Sequence, residues 1–196
     1  MNKYQVIAIC GESASGKDTI LQTTLKKHPE LFHPIVSCTT RPPRDYEKDG
    51  VDYHFITVQE FTNKVLAGDM LEAVSFNNWF YGSCIDDLVL DKINIGVFNP
   101  EGIKNLLLDS RLDVEVIRIL CDDKTRLLRS LNREQNPDCE EICRRFFADK
   151  KDFSTLLDYD YWLMQNTDKT KVKCLDIMHP SNGLCSFIDD MRQRIQ

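Results

Sequence analysis

The sequence predicts an α/β fold: a mostly parallel sheet flanked by helices, with a mixed α/β lobe inserted into it. Three observations carry that expectation. Strand-like apolar runs alternate with helical patterns, Val6 to Cys10 is apolar enough for a strand buried on both faces, and between Thr39 and Gly82 prolines, charges and aromatics replace the regular alternation. A length of 196 residues suits one such domain with a small excursion and is too short for two independent ones.

The first strand ends at Gly11, and a helix begins near Gly16 and carries Ile20, Leu21 and Leu25 inward until His28-Pro29 stops it. Residues 34–38 read as a second strand. Within the lobe, Tyr53 to Ile56 and Leu71 to Phe76 are short strand candidates, and Thr57-Val58-Gln59-Glu60 has the spacing of a capping box, which predicts a helix over residues 58–67. Ile93 to Phe98 and Val114 to Leu120 resume the parallel-sheet signal, each followed by a helical pattern. Cys139 to Leu157 predicts the longest helix, with Ile142, Phe146, Phe153 and Leu157 on one face; Tyr161 to Met164 reads as a last strand and residues 184–195 as a closing amphipathic helix.

Composition excludes several classes. Hydrophobic residues at 42% and charged ones at 29% rule out collagen-like, coiled-coil and wholly disordered chains. With 25 Lys+Arg against 31 Asp+Glu, the net charge of −6 argues against a surface committed to nucleic acid, so phosphate recognition must be local. The longest apolar run is far too short to span a membrane, and the N-terminus lacks a signal-peptide core. The expectation is a soluble cytoplasmic protein without membrane or nucleic-acid partners, a monomer or homodimer. The eight cysteines are scattered without a Cys-x-x-Cys pair and read as reduced, buried small hydrophobes. The four histidines lack metal-ligand spacing and read as surface or packing residues, and Trp79-Phe80 as core.

Gly11-Glu12-Ser13-Ala14-Ser15-Gly16-Lys17 joins the first strand to the first helix, the context in which a Gly-x-x-x-x-Gly-Lys loop binds phosphate. Small residues let backbone N–H groups turn inward around phosphate oxygens, and the new helix adds its own unpaired N–H groups. Lys17 then reaches the β- and γ-phosphates. The pattern continues with a Ser or Thr whose hydroxyl meets Mg²⁺; here that residue is Asp18, followed by Thr19.

Ser37-Cys38-Thr39-Thr40-Arg41-Pro42-Pro43-Arg44 leads to Glu47 and then Asp52-Tyr53. The prolines favour polyproline II with three residues per turn, which puts Arg41 and Arg44 on the same side. Two forked, always-charged donors converging on one spot suit a phosphate monoester.

On these residues the chain resembles the guanylate kinase family, in which the phosphate loop is followed by Ser-x-Thr-Thr-Arg-x-Pro-Arg, a Glu three residues on and Asp-Tyr shortly after. Leu71-Glu72 and Tyr81-Gly82-Ser83 match the rest of that family's monophosphate lobe, and the resemblance covers essentially the whole chain. It implies a single domain over residues 1–196: a P-loop kinase core at 1–38 and 84–196, a monophosphate-binding lobe at 39–83 and a helical lid at about 129–146. It implies that Gly11, Ser13, Ala14, Ser15, Gly16, Lys17, Asp18 and Thr19 hold ATP, with Asn166-Thr167-Asp168 beside the adenine. Arg41, Arg44, Tyr53 and Tyr81, together with Glu47, would hold the acceptor monophosphate, while Ser37, Glu72 and Ser83 face the base. Arg133 and Arg145 take the places of lid arginines that close over the donor phosphates.

A carboxylate at Glu72 accepts from guanine N1–H and N2–H₂ while a hydroxyl donates to O6; adenine presents the opposite pattern. Two family acids are replaced: Asn99 stands where a second acid contacts the base, and Val97 where an Asp accompanies the metal. Asp18 then supplies the carboxylate for Mg²⁺, directly or through a water, or else only favours the helix N-terminus while Thr19 or waters serve the metal. Thymine or a modified base stays open, because its N3–H also donates to Glu72.

The leading expectation is an ATP-dependent nucleoside monophosphate kinase that phosphorylates GMP or dGMP with Mg²⁺, with Lys17, Arg41, Arg133 and Arg145 as its catalytic group. The alternatives are a deoxynucleotide kinase with another base preference and a noncatalytic guanylate-kinase-like protein-binding module. Intact Gly11, Gly16, Lys17, Arg133 and Arg145 argue against the module.

Overall fold

Val6, Ile7, Ala8, Ile9 and Cys10 are each no more than 2% exposed, and they form the inner part of strand β1 (Tyr4–Cys10). Such a run has no polar side chain to hydrate, so it gains most where both faces of the strand are covered. The structure, a computed structural model, describes residues 3–43, 47–76, 78–133, 135–166 and 172–176. The elements after β1 are α1 (Lys17–Lys27), β2 (Phe32–Pro34), β3 (Cys38–Thr39), β4 (His54–Phe55), α2 (Val58–Ala67), β5 (Met70–Phe76) and β6 (Trp79–Cys84). They continue with β7 (Ile93–Val97), α3 (Pro100–Leu108), β8 (Leu112–Leu120), α4 (Asp123–Leu131), α5 (Cys139–Asn166) and β9 (Val172–Asp176).

One sheet has the strand order β2-β7-β1-β8-β9, with β2–β7 and β8–β9 both parallel. The chain is an α/β protein, as the alternation of apolar runs predicts. It divides into two compact units, Met1–Ile7 with His28–Val114 and Ala8–Lys27 with Glu115–Gln196. Among the described residues no helix is long and apolar enough to cross a membrane.

The first unit contains a second, four-stranded sheet in the order β4-β3-β6-β5, where β3–β4 is parallel and β3–β6 and β5–β6 are antiparallel. Helix α2 packs on it through Phe61, 4% exposed beside Cys38 and Cys84. Its start is fixed by the anticipated capping box: Thr57 Oγ1 accepts from the Glu60 N–H, and Glu60 accepts from the Thr57 N–H. Its end is fixed by Gly68, left-handed at φ 76°, whose N–H reaches the Lys64 and Val65 carbonyls. Helix α3 starts at the cap Asn99 with Pro100 in its first turn, and Ile103 and Leu106 are fully buried.

Several expectations are corrected. Residues 34–38 are not one strand, because the Val36 N–H turns to Asp87 Oδ2 at 2.7 Å; β2 stops at Pro34 and the chain enters the other sheet at Cys38. Residues 161–164 are helical, not a strand: nothing from Cys139 to Asn166 is Gly or Pro, so α5 runs through the short apolar stretch. Strand β6 is absent from the expected elements, and Trp79 and Phe80 on it are each 38% exposed rather than core, although Phe80 stacks on Phe61 at 5.4 Å. In α1 the buried side chain is Thr24, with Ile20, Leu21 and Leu25 only half-buried around it. Among the described residues Cys10, Cys38 and Cys84 are buried thiols outside any disulfide, whereas Cys139 and Cys143 are exposed. The expected closing helix at 184–195 lies outside the described residues.

Candidate active site

In the second unit, the Gly11–Lys17 loop connects β1 to α1. Gly11 is required by close approach: a Cβ there would lie 2.8 Å from Ser15 Oγ and 2.9 Å from the Ile119 carbonyl oxygen. Gly16 sits at φ 100°, and Ala14 is left-handed at φ 60°, a conformation that costs a residue with a Cβ about 1–2 kcal/mol. The Ser15 N–H closes a turn onto the Glu12 carbonyl at 3.1 Å. Ser15 Oγ is buried with no hydrogen-bond partner among the described residues. Lys17, half-buried, is the first residue of α1, and the exposed Asp18 and Thr19 follow in its first turn. The sequence-predicted loop residues are thus brought together around a helix N-terminus.

Beside this loop a cleft of about 140 Å³ is lined by Ser13 and Ala14, by Arg126 and Ser130 of α4, and by Arg133, Glu141 and Arg145. Both candidate lid arginines face it. Arg145 Nε donates to Glu141 Oε1 at 2.6 Å, and Arg144 donates to both oxygens of the same carboxylate at 2.6 and 2.9 Å. Hydrogen bonds from Arg144 and then Arg145 hold the Glu141 carboxyl down at about 2. This acid was not singled out from sequence; an i, i+3 and i, i+4 spacing to two arginines was the available signal. Arg126, also unanticipated, is 1% exposed. Asn166 is the last residue of α5 and precedes β9 rather than following the last strand. Thr167 and Asp168 lie outside the described residues.

In the first unit, Arg41 Nη2 donates to Glu47 Oε1 at 2.8 Å, and its guanidinium lies 5.6 Å from the Tyr53 ring centroid and 5.7 Å from that of Phe55. The Glu47 hydrogen bond, more than any other influence, pushes the Arg41 pKa above its ordinary value. Tyr81 meets Tyr53 edge to face at 6.1 Å. Arg41, Glu47, Tyr53 and Tyr81 therefore form one cluster, with Glu47 acting on the arginine. Arg44 lies outside the described residues.

Close by in sequence, Ser37 Oγ and Ser83 Oγ are 3.1 Å apart, and Ser83 Oγ donates to Glu72 Oε1 at 3.2 Å. Gly82 allows this arrangement, since a Cβ there would overlap the Glu72 carbonyl oxygen and Met70. Burial pushes the Glu72 carboxyl up to about 7; the Ser83 hydrogen bonds oppose the shift and the charge of Glu101 adds to it. Asn99 is exposed at the head of α3, and its Oδ1 accepts from the Gly102 N–H at 2.7 Å. A Cβ on Gly102 would lie 3.2 Å from Asn99 Oδ1 and 3.5 Å from Glu72 Oε2, so both side chains approach the backbone at Gly102.

A family model described as Guanylate kinase matches residues 3–179. A guanylate kinase of Synechococcus sp. (strain JA-3-3Ab) is 31% identical over 192 residues, covering 91% of this chain and 84% of the relative. That of Sus scrofa is 26% identical over 193 residues, covering 88% and 96%. Among solved structures, guanylate kinase from Anaplasma phagocytophilum superposes with a TM-score of 0.58 at 19% identity, over 100% of this chain and 88% of that one, a likeness of fold.

Proposed function

The chain belongs to the guanylate kinase family of ATP-dependent nucleoside monophosphate kinases, and we propose that it transfers the γ-phosphoryl group of ATP to GMP or dGMP. The observation that carries the base assignment is the Ser37–Ser83–Glu72 hydrogen-bond chain. Ionised Glu72 is an acceptor that guanine can satisfy with N1–H and N2–H₂, and a serine hydroxyl suits O6. Arg41, oriented by Glu47 and flanked by Tyr53 and Tyr81, takes the acceptor phosphate, with Arg44 as a second donor to it.

On the donor side, the Gly11–Lys17 loop receives the ATP phosphates, Lys17 supplies a cation at the β- and γ-oxygens, and Arg133 and Arg145 stabilise the charge that develops in transfer. The acceptor oxygen attacks in line and no covalent enzyme intermediate is needed. Arg145 must exchange Glu141 for phosphate as the lid engages nucleotide. The residues present would fit Mg²⁺: Asp18 offers an exposed hard-oxygen carboxylate next to Lys17, and substrate phosphates would complete the shell. When bound, Mg²⁺ offsets negative charge on the phosphoryl oxygens. A cytoplasmic setting belongs to the same proposal, supported by ATP as the donor and the buried thiols outside any disulfide.

A second reading, a kinase with another base preference, is favoured by Asn99. Its side chain carries N–H₂ donors where a carboxylate has only acceptors, and its Oδ1 already accepts from the Gly102 N–H. An ADP-release assay with ATP and a panel of ribo- and deoxynucleoside monophosphates tests both. GMP or dGMP should have the highest kcat/KM, and Glu72→Gln should cost it roughly 1–3 kcal/mol of discrimination. A ranking unaltered by Glu72→Gln would move base reading elsewhere.

A further inference from the structure

Arg126 on α4 is almost completely buried, at 1% exposed, yet no role in substrate binding or phosphoryl transfer has been given to it. Every nitrogen of its guanidinium has a partner. Nε donates to the Ser13 carbonyl at 3.0 Å, Nη1 lies 3.0 Å from both Glu12 Oε2 and Asp123 Oδ1, and Nη2 donates to Asp149 Oδ2 at 3.0 Å. The Phe146 ring covers its face, with the centroid 4.9 Å from Cζ. Asp149 Oδ2 also accepts from the Ser13 N–H at 2.7 Å. Ser13 is therefore gripped twice, by its carbonyl from α4 and by its amide from α5.

The next two carbonyls are held from the same helix: Arg129 Nη1 donates to Ala14 O at 3.3 Å and Ser15 O at 3.2 Å. In a trans peptide the N–H points opposite the C=O. Drawing the carbonyls of Ser13 and Ser15 toward α4 thus directs the amides of Ala14 and Gly16 away from it, the orientation an anion cradle needs. The left-handed Ala14 between them is a strained conformation that persists only when its surroundings impose it.

We propose that Arg126 and Asp149 are positioning residues for the donor nucleotide: by clamping Ser13 at both its carbonyl and its amide, they preset the phosphate loop before ATP arrives. The inference rests on the loop being the donor site. Because Asp149 and Phe146 lie on α5 and Arg126 on α4, the clamp also ties the loop to the helix that carries Arg145 and to the helix that ends two residues before Arg133.

The test is ADP affinity by calorimetry, with KM values for ATP and GMP, on the full-length chain. Asp149→Ala should weaken ADP and raise the ATP KM about tenfold or more, as expected for losing a charge-assisted bond that presets a binding loop, while the GMP KM stays within about twofold. Asp149→Asn, whose amide oxygen can still accept from the Ser13 N–H, should recover affinity to within about threefold of the parent. Should Asp149→Ala fail to fold, the double variant Arg126→Leu with Asp149→Ala removes the buried charge together with its partner. It should fold and show the same loss for ADP. Unchanged ADP affinity in a folded Asp149→Ala or double variant overturns the proposal, and so does failure of both to fold, which would make the clamp a requirement of the fold rather than of the loop. Lys17→Ala serves as the separate control: normal ADP binding there would overturn the donor-site reading itself.

Discussion

Glu47 meets Arg41 at 2.8 Å with only 7% and 14% of their side chains exposed, so the arginine of the acceptor cluster is held by a buried carboxylate rather than by water. A guanidinium fixed in this way presents its remaining N–H groups in one direction, which lowers the ordering cost when a phosphate arrives.

Arg41→Ala should raise the acceptor KM at least tenfold with a smaller change in the ATP KM, and Arg41→Lys should recover little, because an ammonium cannot serve Glu47 and a phosphate with the same fork. Glu47→Gln should raise the same KM less, by leaving Arg41 charged but poorly aimed. Steady-state kinetics with each substrate varied in turn decides it; equal effects on both KM values would detach the cluster from the acceptor.

Glu72 makes stability depend on pH. Its folded pKa of about 7 lies above the ordinary 4.5, so between those values the folded state holds more protons than the unfolded one and stability falls as pH rises. The contribution of the neutral form is complete below about pH 4.5 and lost by the time pH passes 7, a swing on the order of 3 kcal/mol. Thermal melts from pH 5 to 8.5 should show the parent losing several degrees more than Glu72→Gln. Parallel curves for the two proteins would assign the titration to another group.

Lys17→Ala should cut kcat by two orders of magnitude or more while leaving the melting temperature near that of the parent, since Lys17 is only half-buried at the first turn of α1. Near-normal turnover would remove the loop from the chemistry.

Asp18→Ala should shift the Mg²⁺ titration of activity to higher concentration several-fold. If Asp18 only favours the positive end of α1, the variant should instead lose about 0.3–1 kcal/mol of stability with an unchanged Mg²⁺ dependence. Activity titrations beside melting curves separate the two outcomes.

Local chemistry was legible in the sequence wherever neighbours in the chain are neighbours in space. The Thr57–Glu60 box, the glycines of the phosphate loop and the apolar run of β1 all act within a few residues, and the structure has them as their spacing implies. Partners far apart in the chain were not. Asp149 and Ser13 are 136 positions apart and Asp87 and Val36 are 51, and no periodicity links them. The run at 161–164 misled for a different reason: four apolar residues suit a buried strand and a helix face equally, and only the unbroken helical context upstream distinguishes them.

Helix α2 carries its own start and stop signals, and only Gly68 and Asp69 separate it from β5. A ten-residue helix bounded this way has a fixed length, and the β5–β6 register already shifts once between Met70 and Glu72. One inserted residue after Phe61 would rotate the rest of the helix by about 100° and advance it by about 1.5 Å. The entry into β5 would then be displaced just two positions before Glu72, whose pairing opposite Ser83 depends on that entry. Natural length variation in this lobe should therefore collect elsewhere, and α2 works as a ruler that sets where the base-facing carboxylate stands.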